Sequence, residues 1–476
     1  MATARPRVAI VGAGPAGAFA AASLLRAHPQ VEIDLFDRLP TPWGLLRGGV
    51  APDHQEIKRL SDTFDRQTLE RGCRFLGNVE VGVDVSHAEL MRHFTAVVYA
   101  TGAQADRSLG IPGEELSGSW AATEFVAWYN GHPDYRDLKF DLSVTRAVVI
   151  GNGNVAADVT RMLTLSPREL ERTDVADHAL EALRASQVAE LTVLGRRGPA
   201  QAAFTSSELR DLARIPGVGL RVRREEVELD PVSRRWLAEE GSFTACQNVQ
   251  LLYEFAGTAP RADVGRHVEL RFLRSPTAIR GVKRVEAIDV RRNRIVRTDD
   301  GLLRAQPADE DLETIECGLV LRSVGYRAVP LPDLPFDERH FVLPNDRGRV
   351  LTADGETLTG VYAVGWIKRG PTGILGTNKR DAEETIGCLV DDLRAGTMAP
   401  PESPDREQID ALLAGRMADL VTAEGWRAID AYELQRGRAA QRPRVKLASR
   451  EQLLAAARNG VHSRQSFTRG ELKPRA

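Results

Sequence analysis

Short apolar runs that end on glycine clusters dominate the pattern along this chain. Arg7 to Val11 is apolar after its first residue and breaks at Gly12-Ala13-Gly14-Pro15-Ala16-Gly17. A small-residue stretch, Ala18 to Ala27, follows, and a second apolar run from Val31 to Phe36 closes on Asp37. This order predicts strand, tight turn, helix and strand, a βαβ unit. The pattern repeats from Ala147: an apolar run enters Gly151-Asn152-Gly153-Asn154-Val155-Ala156, a helical stretch reaches about Leu165, and the run Leu191 to Leu194 closes on Arg196-Arg197. Further strand-then-glycine endings stand at 96–102, 319–325 and 360–365. The Arg-rich, alternating stretch 218–296 predicts antiparallel strands, the polar stretch 297–314 a loop, and the residues after Thr377 an amphipathic helix to about Arg394. Residues 457–476 are expected to form a frayed tail.

Composition narrows the field. The 476 residues are 42% hydrophobic and 27% charged, a globular composition with length for two or three domains. The net charge of −2 gives no reason to expect a nucleic-acid or anionic-membrane partner. Val8 to Leu25 carries no charge and comes after Arg5 and Arg7, as a signal peptide would, but Gly12, Gly14, Pro15 and Gly17 interrupt it at motif spacing. No targeting or membrane-spanning segment is therefore expected. The cysteines Cys73, Cys246, Cys317 and Cys388 form no CxxC pair, which excludes a zinc ribbon, a cysteine-ligated cluster and a redox dithiol. They fit a reducing, cytoplasmic setting, and no metal site is expected.

The two glycine motifs differ in the residues downstream of them. Gly12, Gly14 and Gly17 come after a strand and open a helix, and Asp37 stands 25 residues after Gly12. A carboxylate there accepts hydrogen bonds from ribose hydroxyls and repels a 2′-phosphate, so the first site suits FAD or NAD. In the second unit no acid stands at that place, and Arg196 and Arg197 offer forked donors suited to the 2′-phosphate of NADP. Their distance of 45 residues from Gly151 implies an insertion near 166–187. Two different dinucleotide sites without a dithiol point to a flavoprotein that takes a hydride from NADPH and hands its electrons on.

The strings that carry a wider resemblance are Val-Gly-Ala-Gly-Pro-Ala at 11–16, Leu-Pro-Thr-Pro-Trp-Gly-Leu-Leu-Arg at 39–47 and Gly-Val-Ala-Pro-Asp-His at 49–54. Further along stand Ile-Gly-Asn-Gly-Asn-Val-Ala at 150–156, Gly-Arg-Arg-Gly-Pro at 195–199, Val-Gly-Trp-Ile-Lys-Arg-Gly-Pro-Thr-Gly at 364–373 and Arg-Pro-Arg-Val-Lys-Leu at 442–447. Over roughly 7–456 the sequence resembles the adrenodoxin reductase family of ferredoxin-NADP+ reductases, most closely its mycobacterial-type members. The resemblance implies an α/β fold of two Rossmann-like dinucleotide-binding domains, glutathione-reductase-like, with the NADP domain inserted in the FAD domain. The implied divisions are 1–107 and 325–476 for FAD and 108–324 for NADP.

By the same resemblance, FAD contacts fall on Ala16, Asp37, Leu45, Val81, Trp366, Gly373, Ile374 and Leu375. NADP contacts fall on Arg107, Asn152, Gly153, Asn154, Val155, Arg196, Arg197, Glu208 and Gly373. Family members carry Glu where this chain has Asp37, a shorter arm toward the ribose. His54 and Glu208 correspond to a His and a Glu near the nicotinamide and are expected as catalytic or positioning residues. Hydride transfer needs stacking and distance control more than acid-base help, which favours positioning. The expected partner is an acidic ferredoxin and the expected state a monomer. Residues 261–294, with ten Lys or Arg against four acids, form a candidate docking face that includes Arg271, Arg274 and Arg280. A flavin monooxygenase also needs two dinucleotide sites, but its fingerprint would place His where Val81 stands. A cofactor-bound sensor or electron-transfer subunit is the rival outside enzymes.

Overall fold

Apolar runs buried on both faces make parallel strands, and the glycines at their ends let the chain turn into helices. The structure, a computed structural model, describes residues 5–258 and 264–459, with the side chains of 309–311 outside that description. It divides into two units. One holds the residues up to Ala105, the segment Asn130–Asp134 and the residues from Tyr326 onward; the other holds Asp106–Tyr129 and Tyr135–Gly325.

The first unit is built on seven strands in the order Asn345–Asp346, Arg349–Leu351, Thr357–Ala363, Ala96–Tyr99, Arg7–Val11, Glu32–Asp37 and Arg74–Gly77. The last five run parallel, and the first two add on antiparallel. Alternation along Arg7–Val11 sets the layers. Val8 and Ile10 pack with helices Pro15–Ala27 and Leu375–Ala395, while Ala9 and Val11 pack on the opposite face with Phe36, Tyr99 and Ile367. A run of alanines along Pro15–Ala27 lets that helix lie close to Leu375–Ala395.

The second unit has six parallel strands in the order Ser119–Ala121, Leu319–Arg322, Arg146–Ile150, Glu190–Leu194, Arg266–Arg271 and Val218–Val222. Val149, Leu191 and Leu321 face helices. Val148, Ile150, Leu194 and Val320 instead face Ile279, Ile288 and Val290 of an antiparallel three-stranded sheet, Arg274–Arg280, Ala287–Arg297 and Leu303–Glu316. The expected insertion after Leu165 consists of helices Pro167–Leu170 and Asp177–Arg184.

Two expectations fail, and most of a third falls outside the described residues. Much of 218–296 is helical: Arg224–Val227, Pro231–Glu239 and Phe243–Gly257 stand between two parallel strands. Asp230 accepts from the N–H groups of Val232 and Ser233, and Ser242 from that of Ala245, so polar residues read as strand exteriors are helix caps. Within 297–314, Leu303 onward is strand rather than loop. It pairs with Ala287–Arg297 as an outer strand, and its polar composition hid a backbone ladder. At the far end, residues 457–459 close a helix, and 460–476 lie outside the described residues. Among the described residues no helix is long and apolar enough to cross a membrane.

The strings at 39–47 and 442–447 meet on one carboxylate. Glu433, fully buried, accepts from Arg47 Nη2 at 2.6 Å and Nη1 at 2.9 Å, from Arg444 Nη1 at 3.1 Å and from the Leu447 N–H at 2.8 Å. Burial alone raises a carboxyl pKa; the two guanidiniums and the N–H outweigh it and hold Glu433 below the ordinary range. Its contribution to stability is therefore complete above about pH 4.3 and is lost as pH falls through the lowered folded value. Glu433→Gln should cost about 3 kcal/mol at neutral pH in urea unfolding, and the gap from the parent protein should narrow as pH drops below about 4. A constant gap across that range would show that the charge contributes nothing.

Candidate active site

Two turns of the same construction occupy equivalent places in the two sheets. Gly12 takes φ +107°, and a Cβ there would lie 2.5 Å from the carbonyl oxygen of Ala100, at the end of the neighbouring strand. Gly151 takes φ +135° and packs in the same way on Ser323, 2.2 Å from its oxygen. Gly17 is excluded from carrying a side chain by Gly12 itself, whose oxygen would be 2.0 Å away. Ala156, in the matching place of the second turn, is wholly buried.

Gly14 and Gly153 are different. Around Gly14 the nearest atom to a Cβ is Gly44 Cα at 3.8 Å, and around Gly153 it is Ala203 Cβ at 3.7 Å. The fold alone does not require glycine at either place. Each precedes a helix, Pro15–Ala27 or Asn154–Thr164, whose first N–H groups have no side-chain cap. An open backbone cradle at a helix N-terminus suits a pyrophosphate, so both turns fit a dinucleotide.

Around the first turn stand several of the residues expected at the FAD site. Asp37 accepts from the N–H groups of Ala13 and Leu39, each at 2.9 Å, and burial pushes its carboxyl up to about 6 against those bonds. Gly44 stacks on Gly14, with its would-be Cβ 2.9 Å from Gly14 Cα, and this brings Leu45 beside the turn. Gly365, with φ +74°, would place a Cβ 2.5 Å from that of Ala16, which fixes Trp366 next to the helix start. Trp366 is half-buried against Tyr326, ring centroids 5.3 Å apart, and Val81 packs on the same apolar cluster. Gly373, Ile374 and Leu375 lead into helix Leu375–Ala395, with Ile374 69% exposed. His54 is half-buried ahead of helix Gln55–Lys58, and the Lys58 N–H donates to its carbonyl.

In the second unit Asn152 lies under Gly195, and its carbonyl accepts from the Ala203 N–H at 2.9 Å. The Asn154 side-chain oxygen accepts from the Thr205 N–H at 2.8 Å, while Val155 is half-buried in the first helical turn. Thr205 in turn caps helix Ser206–Arg214, which carries Glu208. Glu208 is buried and paired with Arg161 at 2.6 Å; the same guanidinium bonds Asp158 at 2.7 Å. Arg196 is exposed and Arg197 half-buried, and neither meets a carboxylate among the described residues. Their carbonyls are anchored by Asn293 and by the Leu273 N–H, so the backbone is fixed and the guanidiniums are left for a ligand. Burial and the charge of Arg196 both lower the Arg197 pKa. Arg107 is exposed, and its N–H donates to Gly325. His54 and Glu208 belong to different units.

Comparison with known proteins settles the family. The profile of pyridine nucleotide-disulphide oxidoreductases matches residues 6–193. Over 456 residues the chain is 47% identical to NADPH-ferredoxin reductase FprA of Mycobacterium tuberculosis, spanning 94% of this chain and 98% of that one. The chain belongs to the adrenodoxin reductase family of ferredoxin-NADP+ reductases. A mitochondrial NADPH:adrenodoxin oxidoreductase of Arabidopsis thaliana is 40% identical over 96% of this chain and 97% of its own length. A solved structure of Mycobacterium tuberculosis FprA in complex with NADPH superposes with a TM-score of 0.89 at 45% identity, covering 95% of this chain and all of that one. The disulphide in the wider profile's description has no counterpart among the described cysteines of this reductase: all four are free.

Some residues of the site carry weak sequence signals. Trp43, with φ 78°, donates its N–H to the Ala13 carbonyl and presents Gly44 to Gly14; only the adjacent glycine hinted at a turn there. Asp381 accepts from the Gly365 N–H at 2.5 Å and pairs with Lys368 and Arg369, which fixes the Trp366 turn from a helix 16 residues away. Of the expected docking face, 261–263 lie outside the described residues, and two of its arginines are structural. Arg271 is 1% exposed and pairs with Glu226 and Glu313, and Arg274 pairs with Glu226 at 3.0 Å. Local charge counting cannot distinguish a solvated arginine from one holding a buried carboxylate.

The contrast among the glycines is testable. Stripped of dinucleotide, Gly14→Ala should unfold at the stripped parent's thermal midpoint yet fail to take up ligand, because its methyl enters the ligand cradle; Gly17→Ala, forced against backbone, should lower that midpoint itself. Equal midpoints and equal ligand content for both variants would remove the distinction.

Proposed function

We propose that the chain is an NADPH-dependent FAD flavoprotein that passes single electrons to a ferredoxin-type iron-sulfur protein. The observation that carries this reading is the asymmetry of its two dinucleotide turns: one ends on a lone carboxylate, Asp37, and the other on two guanidiniums, Arg196 and Arg197, with no carboxylate partner among the described residues. Bound FAD supplies the conversion from a two-electron donor to one-electron steps.

The chain's own residues bind and orient. Gly12, Gly14 and Gly17 bring backbone to the FAD pyrophosphate. The lone pairs that Ala13 and Leu39 leave free on Asp37 accept from ribose hydroxyls, and more strongly than those of a neutral side chain would. Ala16, Leu45, Val81 and Trp366 supply apolar wall, and the N–H groups at Gly373, Ile374 and Leu375 favour negative charge at the helix start. Asn152, Gly153, Asn154 and Val155 hold the NADP pyrophosphate, Arg196 and Arg197 its 2′-phosphate, and Arg107 a further phosphate oxygen. Glu208, kept in place by Arg161, and His54 act as positioning residues at the nicotinamide. The partner is acidic. With Arg271 and Arg274 committed to internal pairs, the exposed Lys283, Arg284, Arg292 and Arg294 form the basic face it meets. Four unpaired cysteines suit a reducing cytoplasm.

The FAD-loaded protein should bleach under NADPH and reduce cytochrome c only when a ferredoxin is added. Full cytochrome c reduction without ferredoxin, or no bleaching, would sink the assignment. A second expectation concerns the arginine pair. Charge-assisted hydrogen bonds contribute about 1.5 to 3 kcal/mol each, so Arg196→Ala with Arg197→Ala should lower kcat/KM for NADPH about 100-fold or more. NADH kinetics should move little, since NADH has no 2′-phosphate. Equal losses for both nucleotides would assign the pair to the fold instead.

A further inference from the structure

A hollow of about 560 Å³ opens in the second unit behind the arginine pair. Its wall includes Arg197, Ala203, Trp236, Thr244, Leu302 and Arg304. Trp236 comes from helix Pro231–Glu239, Thr244 from the first turn of Phe243–Gly257, and Leu302 and Arg304 from the hairpin between Ala287–Arg297 and Leu303–Glu316. The hollow is of the size that takes a small ligand. Its lining mixes apolar and cationic groups: the Trp236 ring is half-buried and Leu302 is 57% exposed. Arg197 meets no carboxylate among the described residues, whereas Arg304 is paired with Asp300 at 2.7 Å.

Resting on the reading of Arg197 as a 2′-phosphate donor, we infer that this hollow receives the adenosine end of NADPH, with Trp236 as the residue that stacks on the adenine. The reason is covalent reach. In adenosine 2′-phosphate the base and the phosphate are carried on adjacent ribose carbons, so a pocket that presents Arg197 to the phosphate must also house the purine. An apolar, aromatic wall beside an unpaired guanidinium is the chemistry such a group needs, since base stacking on an aromatic side chain is favourable for any purine face. Thr244 offers a hydroxyl for the rim of the ring. Trp236 and Arg304 lie on the helices and the hairpin that the sequence pattern did not reveal.

The test is calorimetric titration of the FAD-loaded protein with two probes, adenosine 2′,5′-bisphosphate and AMP, which lacks the 2′-phosphate. Trp236→Ala should weaken both probes by the same factor, about ten-fold or more, and Trp236→Phe should recover most of the loss because a phenyl ring still stacks. Arg197→Ala should weaken the bisphosphate alone. Unchanged binding of both probes in Trp236→Ala, a loss confined to the bisphosphate, or no recovery in Trp236→Phe overturns the adenine assignment. If Arg197→Ala binds the bisphosphate as the parent does, the 2′-phosphate reading itself fails, and that outcome is separate from any result at Trp236.

Discussion

Both dinucleotide turns depend on backbone meeting backbone where no side chain fits. Gly12 lies on the carbonyl of Ala100 and Gly151 on that of Ser323, in each case the residue just past a neighbouring parallel strand. The clamp fixes how far the strand runs before it turns and where the helix N-terminus points. Everything else at the two turns is arranged relative to it: Asp37 through the Ala13 N–H, Leu45 through Gly44, Glu208 through Asn154 and Thr205. Because the clamp uses main chain on both sides, it leaves the side chains around it free to differ. The same geometry therefore carries a carboxylate in one unit and two guanidiniums in the other.

Charge pairing gives those guanidiniums their meaning. Arginine is abundant in this chain, and much of it is consumed internally. Arg47 and Arg444 neutralise Glu433, Arg7 and Arg74 hold Asp34, Arg161 holds Glu208 and Asp158, and Arg271 bridges Glu226 and Glu313. At least one member of each set is buried, and removing the partner of a buried charge is costly. Against that background Arg196 and Arg197 stand out by having fixed backbone and no carboxylate among the described residues. A guanidinium on an anchored backbone without a counter-charge belongs to a ligand or to solvent, and its place just past the strand that ends beside the second glycine turn favours the ligand.

Legibility in the sequence divides along physical lines. The βαβ units were readable because their signals are local: an apolar strand, glycines at fixed offsets and a helix of small residues. Asp37, Arg196 and Arg197 were found from where those strands end. The helices between 224 and 257 were not readable, because the arginine-rich stretches on either side suggest one continuous run of strands and the deciding information lies in the caps at Asp230 and Ser242. The strand from Leu303 escaped for the opposite reason. Its ladder partner, Ala287–Arg297, supplies the hydrogen bonds that its own polar residues do not advertise. Arg271 shows the remaining limit: its two acidic partners, Glu226 and Glu313, are 45 and 42 residues away, beyond any window of local charge.

The segment Asn130–Asp134 belongs to the first unit although the chain on both sides of it belongs to the second. Asn130 accepts from Lys58 and Lys446, and Asp134 from Arg38 and Arg450. The backbone therefore passes between units four times rather than twice. This sets an order for biosynthesis. When the ribosome has released residue 325 the second unit has every strand it needs, whereas the first still lacks Thr357–Ala363 from its sheet and Lys446 and Arg450 from its bonds with this segment. Its amino-terminal strands must wait, with apolar faces uncovered, while on the order of a hundred further residues are made, at about 5–20 residues per second. The nascent chain is thus exposed to chaperones for longest at its beginning, and the Asn130–Asp134 segment is a five-residue place-holder that its partners reach only at the end of translation.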